Sequence, residues 1–118
     1  MTTKTEILEI DLAEDAATTW RNERWTFATF QLIPLGATPN TASLDVLKSL
    51  DGQPNHAAEF GTALDATKSI DGPIDLDASS LAIIGPLDIR DAPSLHFQPN
   101  PTEADKRIRL LIHLTDRE

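Results

Sequence analysis

Turn-forming residues recur so often in the second half of this chain that no long helix fits between them. Gly72-Pro73, Gly85-Pro86, Ala92-Pro93 and Gln98-Pro99-Asn100-Pro101 bracket short apolar pieces at 74–76, 81–84, 87–89 and 95–97. Proline breaks a helix by removing a donor and clashing with the preceding turn. Apolar runs this short, set between turn signals about 8–12 residues apart, read as strands of a sandwich or small barrel. The last segment, 106–115, fits the same reading. Ile108, Leu110, Ile112 and Leu114 share one strand face, and Arg107, Arg109 and His113 share the other. Leu111 breaks the polar face and is a candidate contact for a partner or a loop.

The first half adds strands. Residues 4–10 alternate weakly around Ile7 and Leu8. Residues 24–33 are rich in aromatic and β-branched side chains. There Trp25 and Phe27 share one face, while Phe30 and Leu32 share the other. A bulge near Ala28 or cover on both faces would account for the change of phase. Pro34 and the turn residues after it end the segment. Asp11 and Glu14 have capping-box spacing and predict one or two helical turns. The expected architecture is all-β: a two-sheet antiparallel sandwich, jelly-roll or Ig-like, with roughly eight strands and at most one short helix. The expected core includes Trp25, Phe27, Leu44, Val46, Leu64, Ile70, Ile83, Ile108, Leu110 and Ile112.

An internal echo marks the middle. Residues 44–52 and 64–72 match at six of nine positions, 20 residues apart, and each copy ends in Asp-Gly. Asp51-Gly52 and Asp71-Gly72 are therefore expected at strand reversals, with glycine at positive φ. Two copies are too few for a solenoid.

At 118 residues the chain is expected to be one domain, 1–118, with 1–12 an N-terminal arm or an edge strand. As an arm, 1–12 would add a strand to a neighbour's sheet. The net charge of −9 argues against nucleic acid and anionic membranes as partners. The acid is concentrated in 41–105, with 11 acidic against 3 basic groups; 106–118 carries 4 basic against 2 acidic. That asymmetry suits head-to-tail contact between copies. No apolar run is long enough to cross a membrane as a helix, and the acidic first 20 residues do not resemble a signal peptide. The expected site of synthesis is a host cytoplasm.

No catalytic or cofactor signature is present. The chain has no Cys, no phosphate-cradling glycine loop, no nucleophile elbow and no His-Glu-x-x-His. His56, His96 and His113 lie in separate segments, without the spacing of a zinc site. Asp71, Asp75 and Asp77 crowd one turn, but the EF-hand pattern is absent. The expectation is a protein that is not an enzyme and has no cofactor or metal. Trp20 and Trp25 flank Arg21 and Arg24, which makes either ring a candidate stacking platform. Candidate interaction residues are Trp20, Arg21, Arg24, Arg107 and Arg109.

The Lys-Ser-Leu-Asp-Gly and Lys-Ser-Ile-Asp-Gly turns, the proline-punctuated strands and the acidic, Cys-free composition resemble small β-sandwich structural proteins of tailed bacteriophage particles. Head-decoration and tail-associated proteins are among these. The resemblance covers 42–115. It also touches the Asp-box of sialidase-like repeats, but here Gly directly follows Asp and no aromatic residue closes the motif, so that function is not carried over. The phage resemblance implies a non-catalytic structural protein in a virion, whose partners are other copies of itself and other virion proteins. The alternative from the residues is a carbohydrate- or ligand-binding sandwich using Trp20 and Trp25.

Overall fold

The computed structural model describes residues 2–56, 58–59, 74–76 and 83–116. The chain runs as one long hairpin that is then rolled up. Strand β1 (Thr2–Asp11) pairs with β9 (Arg107–Asp116), and β2 (Thr18–Arg21) with β8 (Ser94–Pro99). Strand β3 (Phe27–Leu35) pairs with β7 (Ile83–Asp88). Strand β4 (Ser43–Ser49) takes both short strands, β5 (Ala58–Glu59) and β6 (Ile74–Asp75). Rolling brings β9 against β3 and β8 against β4. The result is two antiparallel sheets, β1-β9-β3-β7 and β2-β8-β4-β5, with β6 also on β4. Successive long strands alternate between the sheets, which is the jelly-roll solution to the problem of open sheet edges.

Period-two alternation fills the space between the sheets. Ile108, Leu110, Ile112 and Leu114 of β9 point inward with Ile10 of β1 and Ala28, Phe30 and Leu32 of β3. Trp20, Leu44, Val46, Leu95 and Phe97 meet them from the other sheet. Phe30 and Phe97 touch edge to face across the core, with ring centres 5.9 Å apart at 75°.

Several expectations need correction. The capping-box segment forms a turn, in which Asp11 Oδ1 accepts from the Ala13 N–H and Asp11 O accepts from the Glu14 N–H. The helical content of the described residues is one 3-10 turn at Pro54–His56. Strand β3 runs through Pro34, and among the described residues its pairing with β7 reaches Gln31. The Leu12 N–H donates to Lys106 O, which fixes the ladder parity. That parity aims the Pro34 nitrogen away from β9, so the β3–β9 ladder loses no donor there. Ala28, Phe30 and Leu32 take the core face, so Phe27 turns outward and is only half-buried. Ile83 pairs with the outward Gln31 and is 68% exposed. Trp25 lies before β3 and packs against the core margin. Leu44, Val46, Ile108, Leu110 and Ile112 are buried; Leu64, Ile70 and the second echo copy lie outside the described residues.

One carboxylate ties the β8–β9 loop to the β3–β4 loop. Glu103 accepts from the backbone N–H groups of Asn40, Thr41 and Ala42 and from the Thr41 hydroxyl. These donors, Thr41 N–H foremost, hold its pKa down from 4.5 to about 2. A lowered carboxyl pKa stabilises the fold above the unfolded value and loses that effect as pH falls through the folded one. Glu103→Gln is therefore expected to lower the melting temperature at pH 7. It is also expected to flatten the fall in stability between pH 4.5 and about 2, as read by thermal unfolding across that range.

Candidate interaction surface

The outer face of the four-stranded sheet is built by strand register. Ile7, Leu111, Gln31 and Ile83 stand in one row across β1, β9, β3 and β7. Ile7 is 59% exposed and Leu111 half-buried. A one-core sandwich normally turns polar residues to water on such a face; here three of the four positions, Ile7, Leu111 and Ile83, are apolar, and Gln31 stands between the last two. The neighbouring row holds Thr5, His113 and Thr29, with Thr5 Oγ1 3.1 Å from His113 Nδ1. Between these rows lies an open depression of about 330 Å³, floored by Thr29, Gln31, Leu111 and His113 and bordered by Thr5 and Ile83.

On the other side of that row the face becomes charged, with two acidic and two basic side chains. Glu9, Arg109 and Ile33 form the next row, followed by Asp11, Arg107 and Leu35. Glu9 lies 3.6 Å from Arg107 Nη2 and 3.9 Å from Arg109 Nη2, loose pairs at an exposed surface. Among the described residues Arg109 Nε is enclosed without a hydrogen-bond partner.

Only two of the expected interaction residues share this face, Arg107 and Arg109. Trp20 is buried and its indole N–H donates to Glu6, so it is no stacking platform. A buried indole needs such an acceptor, and Glu6 supplies it across the rim between β1 and β2. That N–H, then Lys4 at 3.0 Å, holds the Glu6 carboxyl below its ordinary range against the opposing effect of burial. Arg24 bonds Asp116 at 2.6 Å and lies 4.8 Å over the Trp25 ring, covering the face a sugar would use. A cleft of about 280 Å³ beside Trp25 is lined by Asn22, Glu23, Arg24, Thr26, Arg90 and Pro93. Arg21 belongs to the other sheet, against the Asp51-Gly52 turn. There Gly52 has φ +78° and its N–H donates to Ser49 Oγ. Asp71 and Gly72 lie outside the described residues.

That turn covers a polar network. His96 is fully buried, with Nδ1 2.9 Å from Thr19 Oγ1 and Nε2 2.7 Å from Ser49 Oγ. Burial pushes its pKa down, favouring the neutral ring. Hydroxyl and imidazole stand at the distance of a nucleophile and its base. However, Ser49 is itself buried under the turn and accepts the Gly52 N–H, so the contact fastens the loop to the sheet. Among the described residues no cluster of His, Asp and Glu could hold a metal ion.

Ile7, Ile83 and the His113–Thr5 pair were not singled out from sequence as site residues. Leu111 was the one visible signal, an apolar residue on a polar strand face. Compared with known protein families, with curated proteins and with solved structures, the chain matches none of them.

Proposed function

We propose that this is a non-catalytic structural protein that works by assembly, as one of many copies in a phage particle, in head decoration or at the tail. The observation that carries this reading is the set of apolar side chains Ile7, Leu111 and Ile83, in one row with Gln31, on the solvent side of a sheet whose other side already makes the core. Apolar side chains grouped on an outer face mark contact with another protein. The partners are other copies of the chain and other virion proteins. The net charge of −9 favours protein over nucleic acid or anionic membrane as the partner. Jelly rolls serve in capsids and also in lectins, so the fold supports the reading by analogy only.

Light scattering on the purified protein tests it. The expected mass is a multiple of 12.9 kDa. Ile83→Lys is expected to reduce that mass while leaving the melting temperature unchanged, because the side chain is already 68% exposed. A monomer that binds sugars on a glycan array would overturn the proposal in favour of a carbohydrate-binding module at the Trp25 cleft.

A further inference from the structure

We infer that two copies join through their β1 edges, antiparallel, with Thr5 of each copy on the two-fold axis and Lys4 of one opposite Glu6 of the other. This rests on the assembly reading and gives it one contact and one register. Strand β1 is ten residues long and ends the order β1-β9-β3-β7. Among the described residues nothing pairs with its outer flank. A long open edge is a template for another strand. The opposite edge, β7, is blunted by Gly85 and Pro86.

Backbone parity limits the registers. Leu12 N–H reaches Lys106 O, one step beyond the Asp11–Arg107 pair. Even-numbered residues of β1 therefore aim their backbone groups at β9. Thr3, Thr5, Ile7 and Glu9 aim theirs at the open flank. In a two-fold pair these odd residues face odd residues and make the hydrogen bonds. Lys4 and Glu6 fall in the non-hydrogen-bonded pairs, where side chains approach most closely.

Charge then selects among what is left. An axis at Lys4 sets Lys4 against Lys4, and an axis at Glu6 sets Glu6 against Glu6. An axis at Ile7 sets Glu6 against Leu8 and Lys4 against Ile10. The axis at Thr5 alone gives two opposite-charge pairs. Within one copy Lys4 Nζ already lies 3.0 Å from Glu6 Oε1, so the four groups alternate in sign. The Trp20 indole holds each Glu6 carboxylate at that rim. The product is a continuous eight-stranded sheet carrying both copies of Ile7, Leu111 and Ile83 on the same side.

The chain has no Cys, so a single introduced thiol reports on one position. Thr5→Cys is expected to form a disulfide dimer on mild oxidation, because directly opposed residues lie within disulfide range. Ile7→Cys, which faces Thr3, is expected to form little. Sedimentation should show Lys4→Glu weakening dimerisation about tenfold by replacing two attractions with two repulsions. Lys4→Glu combined with Glu6→Lys should restore it. An oligomer that survives Lys4→Glu and gives no more disulfide at position 5 than at position 7 overturns this edge and leaves assembly through the sheet face standing. A chain that is monomeric in wild type and in every variant overturns both.

Discussion

Phe97→Ala is expected to cost about 3–5 kcal/mol in urea-induced unfolding. The ring is fully buried and belongs to β8, while its edge-to-face partner Phe30 belongs to β3 of the other sheet. Truncation removes apolar transfer energy and opens a cavity at the point where the sheets meet. A domain of this size holds only about 5–15 kcal/mol in total, so the variant should be barely folded at 37 °C. Phe30→Ala should cost a similar amount. The double variant should cost less than the two losses added together, by about 0.5–1.5 kcal/mol, the energy of the ring contact itself. Strict additivity would mean that the rings do not interact.

The second large effect is expected at Gly85, where alanine should cost about 2–5 kcal/mol, combining backbone strain with overpacking. Gly85 has φ +133°, and a Cβ there would stand 2.9 Å from Ala28 O and 3.0 Å from Thr29 Cα. Both obstacles are backbone and cannot swing away. They are close because β3 slips register against β7 between Ala28 and Phe30, pressing the two chains together at that step. Gly52→Ala provides the comparison. Its φ of +78° is also strained, but the nearest atom to a new Cβ is Ser94 Oγ at 3.5 Å, an ordinary contact. That variant should lose only about 1 kcal/mol. Thermal unfolding of the two variants side by side checks the ranking; equal losses would show that crowding at the bulge contributes nothing.

How much of this could be read from the residues depends on how local each feature is. Strand β9 was fully legible, because four inward aliphatic residues at spacing two need no knowledge of any other strand. The register slip near Ala28 was also visible, as a change of phase in the apolar pattern. Which phase faced the core was not, since Phe27 and Phe30 are equally apolar and only pairing with β9 decides between them. Pro34 misled for a related reason: its cost depends on whether a neighbour needs its N–H, and the β9 ladder does not. The outer row was hidden because Ile7, Gln31, Ile83 and Leu111 come from four distant segments aligned by register alone. Whether Trp20 belonged to the core or to a stacking platform was open in the sequence, because its acceptor Glu6 lies on another strand, fourteen residues away.

The rolled hairpin also fixes how the molecule bears force. Thr2 stands opposite Asp116 on the outermost strand pair, so the chain enters and leaves the described fold at one point. A load applied there opens β1 from β9 like a zipper, breaking ten facing pairs in succession. Little tension is needed, because each step strains only the next bond. A load carried from one sheet face to a neighbour would instead be shared among four strands at once. Pulled by its ends the chain yields early, and pulled through its faces it holds.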